Sequence, residues 1–313
     1  MRAVGVYEFG GPEALQVLEL PDVHAGVGEV RLRVKAATVN PTDTGIRSGG
    51  RTTMMQVDPP PYVPGMDVSG VIDEIGEGTA SDLSIGDSVM AMVIPKASHG
   101  GYRESINLPI EAVVRVPADA THAEAATLPM NGLTARQSLD QLDLSAGQTL
   151  AVTGAAGCYG GYVVQLAKAE GLYVIADASE ADEQLVSELG ADVVVSRGDD
   201  IASRIREVAP NGVDGLADGA VQNELAVGAV RDGGAFVSVR GWTGNGERYI
   251  RFHQTMVRNY YLKTDLLEQL RQQAEDGVIS LRVAATYSPE NAPDAHRRLE
   301  AGGTRGRCVI VFD

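Results

Sequence analysis

The chain has 313 residues, of which 44% are hydrophobic, and a formal net charge of −16 at pH 7. Such a negative charge opposes binding to nucleic acid and to anionic membrane surfaces, so neither is predicted as a partner. No long apolar run is present and the only cysteines are Cys158 and Cys308, so composition predicts a cytoplasmic, two-domain enzyme without a disulfide framework or four-cysteine zinc site.

The first 120 residues have the pattern of a mainly β domain. Residues 29–36 alternate strictly between apolar and polar side chains, which is the period of a strand with one solvated face. Further strands are predicted at 68–75 and 88–93. The proline-rich segment 51–64 is predicted as a loop, either a lid over a site or a plain surface excursion.

The middle of the chain predicts a dinucleotide-binding βαβ unit. An apolar strand at 150–153 leads into a glycine-rich bend and then into a helical run at 162–170. Backbone N–H groups at such a bend, with the positive end of the helix, bind a pyrophosphate. After the next strand, at 173–176, comes Asp177, where the fingerprint expects a ribose-binding acid. The predicted pyrophosphate-binding residues are Ala155, Gly157, Cys158, Tyr159 and Gly160, with packing against the sheet as the expected role of the Cys158 side chain.

Strands and helices alternate beyond this unit. Strands are predicted at 193–195, 213–217 and 235–239, and a helix at 201–208. Ser179 and Asp182 have the spacing of a capping box that opens a helix ending at Gly190. This alternation predicts a doubly wound parallel sheet covered on both faces.

The C-terminal part returns to β structure. An apolar helical stripe around Leu266 to Ala274 is closed by Gly277, and 308–312 form a final strand. A chain that begins and ends with β structure around a doubly wound half is expected to complete its first domain with its last strands. The predicted domains are 1–122 plus 264–313, and 123–263 for the dinucleotide, with a cleft between them and the cofactor on one wall.

Several segments, in this order, carry a family resemblance: 39–43 with 47–49, 64–71, 86–89, 100–104, 125–129 with 132–135, the glycine-rich bend with 165–168, and 189–192. Together they resemble the zinc-independent medium-chain dehydrogenase/reductases, in the quinone oxidoreductase (zeta-crystallin-like) branch. The resemblance implies an α/β fold in which a Rossmann-type doubly wound parallel sheet is inserted in a mainly β, GroES-like catalytic domain.

The resemblance also bears on metal binding. Zinc-dependent relatives place cysteine or histidine ligands near Asn40, near Met66 and beyond Leu128, and this chain has no such ligand there. The five histidines are scattered without ligand spacing and are expected to be surface or loop residues rather than catalysts. No metal site is predicted, which leaves hydride transfer from a nicotinamide to a quinone or to a double bond conjugated to a carbonyl.

Catalytic positions are implied by the same resemblance. Asn40 and Thr134 are expected near the nicotinamide ribose and amide, and Asp43 on the same wall as Asn40, although Asn40 to Asp43 also read as an ordinary helix cap. The segment Val239, Arg240 and Gly241 is expected beside the nicotinamide. There Arg240 would polarise the acceptor, with a solvated arginine as the alternative.

Cofactor choice depends on the residues after the second strand of the βαβ unit. Asp177 would chelate the ribose of NAD, but matching the family places Ala178 at that position, and Ala178 with Ser179 resembles the pattern that admits a 2′-phosphate. Acidic residues follow, and two arginines, Arg197 and Arg305, are candidates to bind the phosphate. NADPH is therefore predicted over the alternative, NADH.

Departures from the family leave alternatives open. Some bacterial quinone oxidoreductases have tyrosines where this chain has Gly45 and Arg51, so a proton donor for enoyl reduction is missing there. The alternatives to a quinone or enone reductase are a nicotinamide-binding protein with little turnover and an enoyl-thioester reductase. A homodimer is expected by analogy, through pairing of the strand at 235–239 and its neighbours.

Overall fold

The computed structural model describes residues 1–50 and 59–313. Its contacts divide the chain into two compact units. The first unit comprises Met1–Met130, Tyr261–Glu275 and Leu281–Asp313, and the second comprises Asn131–Tyr260 and Asp276–Ser280. Of the proline-rich segment, residues 51–58 lie outside the described residues, as does the prediction of a lid, while Tyr62 pairs with Val6 in an isolated bridge.

The strands of the first unit, β1–β7, β14 and β15, precede and follow those of the second, β8–β13, along the chain. In chain order the strands are β1 (Arg2–Gly5), β2 (Gln16–Glu19), β3 (Glu29–Thr38), β4 (Asp67–Ile75), β5 (Ser88–Met92), β6 (Ser105–Pro109), β7 (Val113–Arg115), β8 (Thr149–Thr153), β9 (Tyr173–Ala178), β10 (Val193–Ser196), β11 (Val213–Asp218), β12 (Val230–Ser238), β13 (Arg251–Gln254), β14 (Val283–Tyr287) and β15 (Arg307–Val311).

The described residues form the following α-helices, given in chain order. They are α1 (Pro41–Arg47), α2 (His122–Ala125), α3 (Pro129–Leu142), α4 (Cys158–Ala169), α5 (Glu183–Glu188), α6 (Ile201–Val208), α7 (Glu224–Val227), α8 (Thr264–Glu275) and α9 (Ala292–Glu300). None of them has the length and apolarity to cross a membrane.

The first unit is built around the long strand β3. Its sheet has the order β14-β15-β3-β4-β5-β7, and β6 also pairs with β3. Val30, Leu32 and Val34 are buried in the core, whereas the intervening basic residues are less buried, as the alternation predicts. The last strand, β15, pairs antiparallel with β3, so the C-terminal strands complete the N-terminal sheet as expected.

The second unit contains a parallel sheet of six strands in the order β10-β9-β8-β11-β12-β13. The order reverses at β8, whose neighbours are β9 and β11, and this is the switch point at which doubly wound sheets bind ligands. The predicted fold class is confirmed. The bend that follows β8 therefore lies at the carboxyl edge of the sheet.

Two local predictions differ from the structure. Strand β12 ends at Ser238, so Val239 lies in the turn beyond it, and β12 pairs on both sides with β11 and β13. It is therefore β13, not the strand at 235–239, that borders the sheet. Ser179 does not cap a helix through the backbone: its hydroxyl donates to Asp182 (2.5 Å), and a short 3-10 turn precedes α5.

Candidate functional site

The bend between β8 and α4 has a backbone that only glycine tolerates at two points. Gly154 has a φ of +69°, in the left-handed region that favours glycine. A Cβ atom on Gly160 would lie 2.3 Å from the carbonyl oxygen of Gly154. The helix therefore begins directly against the bend, and its first N–H groups precede any intrahelical acceptor. This is a cradle that fits a pyrophosphate.

Side chains of the bend turn inward. Cys158 is 3% exposed, which confirms its packing role, and the Tyr159 hydroxyl donates to the hydroxyl of Ser138 on α3 (2.8 Å). Burial raises the pKa of Tyr159. The side chains of Cys158 and Tyr159 are therefore directed into the protein, and cofactor binding by Ala155, Cys158 and Tyr159 stays a prediction.

Asp177 lies inside β9 with its carboxylate directed to the bend. Its Oδ1 accepts hydrogen bonds from the N–H groups of Gly154 (2.6 Å) and Ala155 (3.2 Å). Its Oδ2 lies 3.4 Å from Nε of Arg197. Burial raises the pKa of Asp177, against the opposing effects of Arg197 and the two amides. Both oxygens are occupied by the chain itself, which is not the arrangement expected of a ribose-chelating acid.

Arg197 and Ser179 lie at the same carboxyl edge. Strands β9 and β10 are paired with Ser196 opposite Ala178, so the residues that follow each of them are neighbours. The Arg197 side chain is 42% exposed, and within the described residues its Nη atoms have no hydrogen-bond acceptor. Arg305, the other predicted phosphate ligand, belongs to the first unit and precedes β15.

A second buried carboxylate at this edge was missed by the sequence reasoning. Asp218, the last residue of β11, accepts from Thr153 Oγ1 (2.6 Å) and from the N–H groups of Gln222 (3.0 Å) and Asn223 (2.7 Å). It fixes the end of β8 beside β11. The sequence contained this signal, because Asp218 directly follows the predicted strand at 213–217, just as Asp177 follows the one at 173–176.

In the first unit, Asn40 is held by its side chain. It joins β3 to α1, and its Nδ2 donates to Thr38 Oγ1 (3.1 Å) and to Asp67 Oδ2 (2.7 Å). Asp67 also accepts from the N–H of Met130 (2.6 Å). Burial raises the pKa of Asp67 to about 6 against these donors. The two donations fix which way the amide of Asn40 faces.

Asp43 is fully buried and holds the backbone around Asn40. Its Oδ2 accepts from the N–H of Asn40 (2.8 Å) and from the Tyr102 hydroxyl (3.3 Å), and its Oδ1 from the N–H of Gly65 (2.9 Å). Burial raises the pKa of Asp43 to about 7. These are the contacts of a group that positions Asn40, and a direct catalytic role for Asp43 stays a prediction.

His296 contradicts the expectation that the histidines lie on the surface or in loops. It is 0% exposed on α9, with Nε2 3.2 Å from the Tyr102 hydroxyl and Nδ1 3.4 Å from Nη1 of Arg47. A guanidinium only donates, so Nδ1 accepts and the ring is neutral with its proton on Nε2. Burial and Arg47 lower the pKa of His296 to about 3. The expectation failed because α9 packs its apolar face into the core of the first unit.

The other predicted catalytic residues lie in the second unit. Thr134 is on α3, 8% exposed, and its carbonyl accepts from the Ser138 hydroxyl (2.8 Å). Arg240 is exposed in the turn after β12, and Gly241 has a φ of +78°. Trp242, the next residue, packs against Phe236 and Phe252.

Metal ligands do not cluster in the part of the chain that the structure describes, where no group of three or more His, Cys, Asp or Glu side chains could hold an ion.

Comparison with known proteins agrees with this architecture. Residues 26–118 match the family model for the alcohol dehydrogenase GroES-like domain, and residues 189–310 match the model described as zinc-binding dehydrogenase. The quinone oxidoreductase of Mus musculus is 30% identical over 339 residues, which cover 100% of this chain and 98% of that protein. The chain belongs to the medium-chain dehydrogenase/reductases, in their quinone oxidoreductase branch.

Other members of the medium-chain dehydrogenase/reductases differ in their named activity. An NADPH-dependent alkenal/one oxidoreductase of Arabidopsis thaliana is 29% identical over 99% of this chain and 79% of its own. The crystal structure of an NAD-dependent alcohol dehydrogenase is 28% identical, with a TM-score of 0.89 and full coverage of both chains. This medium-chain dehydrogenase/reductase is therefore an oxidoreductase of a nicotinamide-dependent family.

Proposed function

We propose that this enzyme uses NADPH to reduce a quinone or an α,β-unsaturated carbonyl compound, without zinc. The observation that carries the choice of cofactor is the carboxyl edge of the parallel sheet. There Asp177 faces inward, Ala178 is buried, and the Nη atoms of Arg197 have no acceptor among the described residues. The support for the acceptor comes from the related quinone and alkenal/one oxidoreductases.

Several residues have a binding role in this proposal. The first-turn N–H groups of α4 would hold the pyrophosphate, and the planar fork of Arg197 would take the 2′-phosphate. Glu180 and Glu183 are exposed nearby and would weaken the phosphate contact, so we expect a moderate preference for NADPH. When bound, the nicotinamide supplies the hydride. Asn40, Thr134 and Arg240 keep, as proposals, the roles that the family resemblance implies.

The choice of acceptor depends on which group supplies the proton. Residue 45 is a glycine, where some bacterial quinone oxidoreductases have a tyrosine that could donate a proton. This favours a quinone, because the reduction of a quinone takes its proton from solvent more readily than the reduction of a carbon–carbon double bond does. Zinc independence is proposed because Asn40 and Met66 stand where zinc-dependent relatives place ligands. A cytoplasmic homodimer, paired through β13, completes the proposal.

The cofactor proposal is tested by kcat/KM with NADPH and with NADH. Arg197→Ala should lower the NADPH value by about tenfold or more, since a charge-assisted contact is lost, and change the NADH value less than about threefold. Arg231→Ala is the matched control, because Arg231 is 43% exposed, pairs with Asp214, and lies at the amino edge of the same sheet. A wild-type preference for NADH would overturn the cofactor proposal.

The acceptor proposal is tested by steady-state reduction of a panel of quinones, enones and enoyl thioesters, with consumption of the nicotinamide as readout. We expect quinones or enones to be the better acceptors. Nucleotide binding without turnover of any of them would instead favour a structural or sensing protein.

A further inference from the structure

The parallel sheet carries two Asp–Arg pairs of similar construction, one at each edge. At the carboxyl edge, Asp177 accepts from two backbone N–H groups of the bend and from Arg197 Nε. At the amino edge, Asp214 accepts from the N–H of Thr149 (2.9 Å) and from Arg231 Nε (2.7 Å). Only the first pair touches the segment proposed to bind a dinucleotide.

We propose that Asp177 is a positioning residue of the dinucleotide site, which holds the bend at Gly154 and Ala155 in its binding form before the ligand arrives. The inference rests on the proposed function in one respect, namely that this bend binds a nicotinamide dinucleotide. In this inference Asp177 contacts the protein's own backbone and not the ribose.

The bend needs such a support because of its backbone. Glycine is the most conformationally free residue type, and Gly154 adopts a positive φ here. Fixing its backbone only when the ligand binds would therefore cost conformational entropy. A buried carboxylate bonded to two amides fixes it in advance, and a preorganised site loses less free energy when the ligand binds.

Of the two contacts of Asp177, the one to the bend is the shorter and the more buried. The amide nitrogens of Gly154 and Ala155 lie at 2.6 and 3.2 Å from a buried oxygen, whereas Arg197 Nε lies at 3.4 Å and its side chain is 42% exposed. The longer separation and the solvent around the guanidinium weaken this ion pair. Loss of Asp177 should therefore weaken NADPH and NADH by the same factor, unlike loss of Arg197, which should act on NADPH alone.

The test compares Asp177→Ala, Asp177→Asn and the matched control Asp214→Ala. Dissociation constants for NADPH and NADH are measured by calorimetry at a temperature at which circular dichroism shows each variant folded. We expect D177A to raise both constants by about tenfold. D177N should stay within about threefold of wild type, because its Oδ1 still accepts from the bend. D214A should lower the melting temperature without changing either constant.

The outcomes separate this inference from the proposed function. Binding of both nucleotides by D177A within about twofold of wild type would show that Asp177 only stabilises the fold. A wild-type preference for NADH would overturn the proposed cofactor but leave the equal shift in D177A as a valid test.

A second measurement needs no variant. In the wild-type protein without nucleotide, the amide protons of Gly154 and Ala155 should exchange with solvent slowly, because both are hydrogen-bonded to Asp177. Fast exchange that slows only when NADPH is added would overturn the inference, even if D177A fails to fold.

Discussion

At the scale of single residues, the site depends both on a glycine that has no side chain and on buried carboxylates. Gly160 has no side chain, and this lets α4 start against the carbonyl oxygen of Gly154. Asp177 and Asp43 are buried acids whose oxygens are taken by backbone N–H groups. In both units, therefore, carboxylates fix the backbone around the residues proposed to contact the cofactor.

Gly160→Ala tests the cradle. The added Cβ would lie 2.3 Å from the Gly154 oxygen and 2.8 Å from the Ala155 Cα, both backbone atoms that cannot move aside cheaply. We expect the dissociation constant for NADPH to rise by tenfold or more, and the free energy of unfolding to fall by about 1–3 kcal/mol. Gly26→Ala is the control, because its neighbour at 3.2 Å is the flexible carboxylate of Glu29. Unchanged binding in G160A would contradict the role given to the bend.

Asp43 should make stability depend on pH. Its pKa of about 7 lies above the unfolded value, so between about pH 4 and 7 the folded state binds the proton more tightly, and the free energy of unfolding falls as pH rises. His296 has the opposite sign: its pKa is lowered to about 3, so its contribution is lost as pH falls below about 6.5.

The Asp43 contribution is isolated by Asp43→Asn in urea titrations at pH 4.5 and 7.5. Wild type should lose on the order of 2 kcal/mol more than the variant over this interval. Parallel pH profiles for the two proteins would show that the Asp43 carboxyl does not titrate in this range.

At the scale of elements, helices α1 and α9 are joined by one buried arginine. Arg47, at the end of α1, is 4% exposed and donates to Glu300 Oε1 on α9 (2.7 Å) and to the carbonyl of Gly10 (3.1 Å). Its Nη1 also lies 3.4 Å from Nδ1 of His296. The end of α1 is therefore tied both to α9 and to the N-terminal segment.

Arg47→Met tests this tie. The substitution keeps an apolar stem but removes every donor, so we expect the free energy of unfolding to fall by about 2–3 kcal/mol. Arg297→Ala, on α9, breaks an exposed pair with Asp294 and should cost less than about 0.5 kcal/mol. Equal effects of the two substitutions on denaturant midpoints would refute a special role for Arg47.

At the scale of the whole molecule, the border of the parallel sheet offers a pairing surface. Strand β13 pairs with β12, and the N–H of Thr255 bonds to the Ser238 carbonyl, so alternation turns the N–H of Gln254 away from β12. On that side the Gln254 carbonyl accepts from Gln141 Nε2 (3.1 Å), and we expect the β13 of a second copy of this chain to pair with the outward N–H groups.

Gln254→Pro tests dimerisation because it removes the outward N–H and leaves the N–H groups that face β12. We expect wild type to elute as a dimer in size-exclusion chromatography with light scattering, and Q254P to shift toward the monomer. Gln254→Ala, which keeps the N–H, is the control and should remain dimeric. A monomeric wild type would end the proposal of pairing through β13.

The sequence alone determined those features that are written in local pattern. Alternation placed β3, glycine spacing placed the bend, and the αβ alternation indicated the parallel sheet, because backbone geometry imposes these periods whatever surrounds them, although α4 begins at Cys158, earlier than the predicted run at 162–170. The segments that resemble the quinone oxidoreductases, and their order along the chain, indicated the family.

Only the tertiary structure decided where buried polar groups point. That Asp177 faces the bend, that His296 lies beside Tyr102, and that β12 is covered by β13 depend on residues brought together from distant parts of the chain. Local pattern carries no information about such partners, because a carboxylate or an imidazole is equally compatible with solvent until the fold supplies its donors and excludes water.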